Sequence, residues 1–137
     1  MTTMLILIRD GSYQNFATMA MIATGAVASD IEVKVFAMED AVYALKKDQI
    51  DKHIKFEKPY PEYNSVLQEA VDSGKSQKWW ELVNDLKELG DIEITVCALV
   101  TDLLGLEIED FADVVDDIQG VAKFAGDAEE ADIFITL

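Results

Sequence analysis

The chain has one cysteine, Cys97, one histidine, His53, and one arginine, Arg9, among 137 residues. A single cysteine forms no internal disulfide, so the fold does not depend on an oxidising compartment. One cysteine and one histidine, far apart and with His53 in a lysine-rich stretch, make a metal site improbable. Only two prolines and seven glycines are present, with no linker rich in Pro, Gly or Ser. No repeat, low-complexity tract, GxGxxG or Walker loop occurs, so a nucleotide site has no support and no cofactor is implied. No basic segment leads into an apolar stretch and cleavage site at the start, MTTMLILIRDG, which makes the cytoplasm the expected compartment.

Positive charge is also scarce: 11 basic against 27 acidic side chains give a formal net charge of −16. Such a surface repels phosphate backbones and anionic lipid heads, which argues against nucleic acid and membranes as partners. The charge is unevenly spread. Ten acids and one lysine fall between Asp102 and Glu130, whereas five of the ten lysines fall between Lys46 and Lys58. These can be two solvated faces, or the lysines can draw an anionic donor or an acidic partner.

Half the residues are hydrophobic, and the length suits one domain, 1–137, with a core of its own. MLILI (4–8) is a continuous apolar run, as in a strand buried on both faces. Asp10, Gly11 and Ser12 supply turn and N-cap chemistry before a helix reaching about Ala28. IEVKVF (31–36) alternates, which suggests a half-exposed strand at a sheet edge. Helical pieces are expected at 39–47, 62–73 and 77–89, the last stopping at Gly90. IEITVC (92–97) is a strand followed by a short helix. A weak strand at 113–115, a helix at 118–129 and a closing strand, DIFITL, complete the order. Strands alternating with helices predict an α/β three-layer sandwich around a five-stranded parallel sheet, flavodoxin-like in order, 2-1-3-4-5.

The helix within 11–29 carries no charged side chain. Phe16, Ala20, Ala23 and Val27 line one face, and Met19, Ile22 and Ala26 make the other side apolar too. Its apolar stretch is shorter than the roughly 20 residues a bilayer requires. A helix apolar all round is buried on both sides, so a homo-oligomer is expected, with Met19, Ile22 and Ala26 in its interface. Trp80, about 100° from the core face of its helix, is a further anchor candidate or a lone exposed aromatic.

In an open parallel sheet, ligands bind beyond the carboxyl ends of the strands where the strand order reverses. With the order 2-1-3-4-5, that point joins Arg9, Asp10, Gly11 and Ser12 to Cys97 and Ala98. Cys97 would also open a helix, where backbone N–H groups favour an anion and lower a thiol pKa, while Asp102 opposes this. A free cysteine is equally at home simply buried.

The frame VCALVTDLLGLEIEDF (96–111) is a strand, a cysteine, four residues, an aspartate, Leu-Leu-Gly-Leu and an acidic stretch. Together with the opening MLILIRDGSYQNFATMAMIATGAVASDIEVKVF, it resembles the DsrE/DsrF-like sulfur-relay family, from residue 4 to the last strand. Asp102 and Gly105 keep the family pattern, and Ala98, Leu99, Val100 and Thr101 make this chain more apolar between Cys and Asp. The resemblance implies that Cys97 is the catalytic, persulfide-carrying residue of a sulfurtransferase-like carrier, with sulfur donor and acceptor proteins as partners. The alternative is a non-enzymatic module that binds a small anion or a protein at the same edge, with Cys97 only packed.

Overall fold

The computed structural model describes residues 1–137. Five parallel strands form one sheet: β1 (Thr3–Ile8), β2 (Glu32–Ala37), β3 (Ile92–Cys97), β4 (Asp117–Gln119) and β5 (Ile133–Thr136). The helices are α1 (Tyr13–Ala28), α2 (Asp40–Ala44), α3 (Pro61–Asp72), α4 (Trp79–Leu89), α5 (Ala98–Leu103) and α6 (Val121–Glu130). The α/β class and the five-stranded parallel sheet are those expected from the alternation of elements.

The strands lie in the order β4-β3-β2-β1-β5. In place of the expected neighbours 2-1-3, β2 lies between β1 and β3, and the edges are β4 and β5. The chain winds in one direction through β1 to β4, then crosses back to the far side of β1. Right-handed crossovers therefore place α6 on the opposite face from the helices that link the first strands.

The alternation of residues 31–36 has a different cause from an edge position. Val33 and Val35 are buried and align with Met4, Ile6, Ile92 and Ile94 on one face. Lys34 points to the other face, where its Nζ lies 3.3 Å from Asp127 Oδ1 of α6 and where Glu93 is its ladder neighbour. Phe36 stacks on Phe124 of the same helix at 4.9 Å. The polar positions of β2 thus mark a sheet face covered by one helix, not a strand at the rim.

Asp127 shows how that cover is held. Burial pushes its carboxyl up, but hydrogen bonds from Lys123 and Lys34 outweigh this and hold it below its ordinary value. Lys123 in turn is raised, first by its hydrogen bond to Asp127, 2.7 Å long.

Two other expectations are corrected. The short fourth strand is Asp117–Gln119 rather than 113–115. Val114 and Val115 are buried because a turn carries them into the core. Asp116 makes the junction: its N–H donates to the Ile94 carbonyl at 2.7 Å, and its Oδ2 accepts from the Ile94 N–H at 2.8 Å.

The second correction concerns α1. Met19 and Ala26 are 0% and 4% exposed within the chain itself, and Ile22 is half-buried against the same core. α4 packs on the Phe16 face of α1, where Trp79 stacks on Phe16 at 4.5 Å. The apolar second side of α1 thus faces its own chain, so Met19 and Ala26 offer no surface to a second subunit. Trp80 is half-buried, edge-on to Tyr13 at 6.4 Å and to Trp79 at 5.9 Å.

Candidate functional site

Two places at the carboxyl edge of the sheet hold the candidate residues, and β2 separates them. The first follows β1. Asp10 Oδ1 accepts from the Ser12 N–H at 2.9 Å, and Asn15 Nδ2 donates to the Asp10 carbonyl at 2.9 Å. Ser12 caps α1, its side-chain oxygen accepting from the Asn15 N–H. Gly11 donates its N–H to Asp40 Oδ1 at 2.9 Å. A Cβ at Gly11 would lie 2.7 Å from the Asp40 carbonyl oxygen, so the close approach of this turn to the start of α2 requires glycine.

A cavity of about 330 Å³ opens there, lined by Gly11, Ser12, Tyr13, Asp40, Tyr43 and His53 among others. His53 belongs to the long connection after α2, which is pinned rather than loose. Gln68 holds it through the Phe56 N–H and the Ile54 carbonyl, and Asn64 through both backbone groups of Lys58. Burial raises the phenol pKa of Tyr13 above its ordinary value, against a hydrogen bond with the Trp79 backbone, so Tyr13 enters the wall as a neutral group.

The second place follows β3. Cys97 closes the strand, pairs with Gln119 of β4 and is the N-cap residue of α5. It is 1% exposed. Thr101, also buried, donates its hydroxyl to the Cys97 carbonyl at 2.8 Å. At the other end of α5, the Leu106 N–H bonds the Thr101 carbonyl and the Gly105 N–H bonds that of Asp102. This is a Schellman closure, and it requires the left-handed backbone that Gly105 adopts at φ +67°. Both ends of this six-residue helix are therefore fastened, with Cys97 and Thr101 inward and Leu99, Asp102 and Leu103 outward.

Arg9 does not join Cys97. Two strand spacings, roughly 10 Å, separate the ends of β1 and β3, and the Arg9 N–H bonds the Leu137 carbonyl on the β5 side. The expected meeting of Arg9, Asp10, Gly11 and Ser12 with Cys97 and Ala98 fails because the strand order differs. The reversal of order now falls between β1 and β5, so the Arg9–Ser12 turn lies at it and Cys97 does not. His53 lines the cavity with the first group, not with the thiol.

The end of β2 carries a strained backbone. After the last rung of β2 with β3, Ala37–Val96, the chain runs through Met38 to Glu39 at φ 52°, ψ −140°. That conformation is strained for any residue but glycine. Sequence carries no signal for it, since neither the pairing of β2 with β3 nor a glutamate in this backbone region follows from residue type. No group of three or more His, Cys, Asp or Glu side chains is placed to hold a metal ion, and no helix is long and apolar enough to cross a membrane.

Comparison with known families decides the lineage: residues 61–135, more than half of the chain, match the DsrE/DsrF/DrsH-like family. The chain belongs to that family. The matched span contains β3, Cys97 and α5. Among solved structures, the protein of unknown function MTH1491 from Methanobacterium thermoautotrophicum is similar over 100% of both chains, with a TM-score of 0.67 and 13% identity. The conserved protein of unknown function BT1422 from Bacteroides thetaiotaomicron is similar over 98% of this chain and 94% of its own, with a TM-score of 0.53 and 11% identity. At such identities the likeness is one of fold. No curated protein matches the sequence.

Proposed function

We propose that the DsrE/DsrF-like protein is a sulfur carrier that takes sulfane sulfur onto Cys97 and passes it to an acceptor protein thiol. The observation that carries this reading is the position of Cys97, which ends β3 and caps α5 within the span that matches the family. In the first step the Cys97 thiolate attacks the outer sulfur of a persulfide or polysulfide donor. A bond forms between Cys97 Sγ and that sulfur, the donor S–S bond breaks, and the donor leaves as a thiolate. In the second step an acceptor thiolate attacks the outer sulfur and Cys97 leaves as the thiolate. Sulfur moves without an external oxidant or reductant, and no resolving cysteine is required.

Burial of Cys97 sets a condition on this chemistry. At 1% exposure the thiol is reached only through a local opening, and in this reading the element that opens is α5, which begins at Cys97 and is fastened by Thr101 and Gly105.

A second reading draws on that same burial together with the open cavity at the reversal of strand order. There the protein is a binding module and Cys97 is packing. Asp10 and Asp40 on the lining make that cavity better suited to a cation or a polar donor group than to a small anion. Alkylation with iodoacetamide separates the readings. A carrier labels at Cys97 in the native state, at a rate that rises with pH; a module labels only as fast as it unfolds.

A further inference from the structure

We propose that the outer side of α5 and the turn after it form the docking surface for the sulfur acceptor, a protein presenting apolar side chains inside a basic rim. The assignment of that partner as the acceptor rests on Cys97 being the loaded thiol.

Four large apolar side chains within ten residues are exposed: Leu99 by 63%, Leu103 by 80%, Leu104 by 42% and Ile108 by 37%. Leu99 and Leu103, four residues apart, are neighbours on the helix surface. Clustered apolar side chains on a protein surface mark an interaction site more often than isolated ones do. These belong to the helix that Cys97 caps, on the side opposite the buried Thr101.

The charge around the patch selects the occupant. Residues 98–119 include seven acidic side chains and no lysine, arginine or histidine. Only Asp116 among the seven has an ion-pair partner, Lys87. Asp102, Glu107 and Glu109 are exposed beside the leucines with no counter-charge. A second copy would bring the same acidic rim against itself, in a protein of net charge −16. A basic rim would be attracted and steered to the patch. A partner seated on Leu99 and Leu103 also grips the helix that Cys97 caps, which couples docking to the opening that exposes the thiol.

The test uses the unloaded full chain and a fluorescein-labelled 14-residue amphipathic peptide of leucine and lysine, read by anisotropy. Peptides of leucine with glutamate, and of serine with lysine, are the controls. We expect the leucine–lysine peptide to bind more tightly than both controls, with affinity that falls as salt rises. The double variant L99S/L103S loses at least about tenfold in affinity. E107Q/E109Q weakens binding and flattens its salt dependence, and L89S, at an equally exposed leucine of α4, changes nothing. Equal binding of the serine–lysine peptide, or equal loss in L89S, overturns the proposal. So does a wild-type dimer at micromolar concentration that L99S/L103S makes monomeric, since a second copy then covers the patch. Because docking is read without sulfur, a protein that binds the peptide yet never loads retracts the carrier reading and leaves the surface standing.

Discussion

The Thr101 hydroxyl donates to the carbonyl of Cys97 across one helical turn, and both residues are buried. This bond fastens the start of α5, the helix that Cys97 caps. Thr101→Val keeps the shape and removes the donor. It should lower stability by about 1 kcal/mol and speed native-state alkylation of Cys97, measured by urea unfolding and by iodoacetamide kinetics. Equal labelling rates in the two proteins would place the gate elsewhere.

Arg9 is predicted to have no influence on the thiol, because β2 stands between them. Arg9→Ala should leave the pH dependence of Cys97 alkylation where it is. A shift toward higher pH by one unit, equivalent to about 1.4 kcal/mol, would mean that the guanidinium reaches the sulfur.

The apolar second side of α1 is an internal surface, so its substitutions should cost stability without changing mass. Met19→Ala, at a fully buried position, should destabilise by about 2–5 kcal/mol. The loss should be independent of protein concentration. Thermal melts of both proteins over a range of concentrations check this. A wild-type midpoint that rises with concentration, and a Met19→Ala midpoint that does not, would restore an intersubunit role.

Asp127 ties α6 to the sheet, and its lowered pKa fixes the sign of a pH effect. A carboxylate held below its ordinary value stabilises the fold above about pH 3.9. That contribution is lost as pH falls through the lowered native value. Asp127→Asn should therefore be less stable near neutrality and show a flatter acid limb below about pH 4. Matching acid limbs would remove Asp127 from the account of α6.

Much of this architecture is legible in residue order. The apolar run 4–8, the Ser12 cap and the run ending at Cys97 each act through local chemistry, and each stands where the pattern puts it. What fails is adjacency. Lys34 and Glu93 face a sheet surface covered by α6 alone, and a sequence cannot distinguish that from a strand at an edge. An edge position for β2 would bring Arg9 and Cys97 together, and the observed order keeps β2 between them. Val114 and Val115 mislead for a related reason, since burial in a turn leaves the same apolar mark as burial in a strand. The second apolar side of α1 calls for a cover, but nothing in its own residues says whether that cover is the rest of the chain or another subunit.

The central claim is that Cys97 holds transferable sulfur, and intact-protein mass spectrometry after polysulfide treatment tests it most directly. The account predicts adducts in steps of about 32 Da on Cys97 alone, removed by dithiothreitol and absent from Cys97→Ser, by the exchange chemistry of thiolates. A native protein that takes up no sulfur, under conditions that load its own unfolded chain, would contradict it.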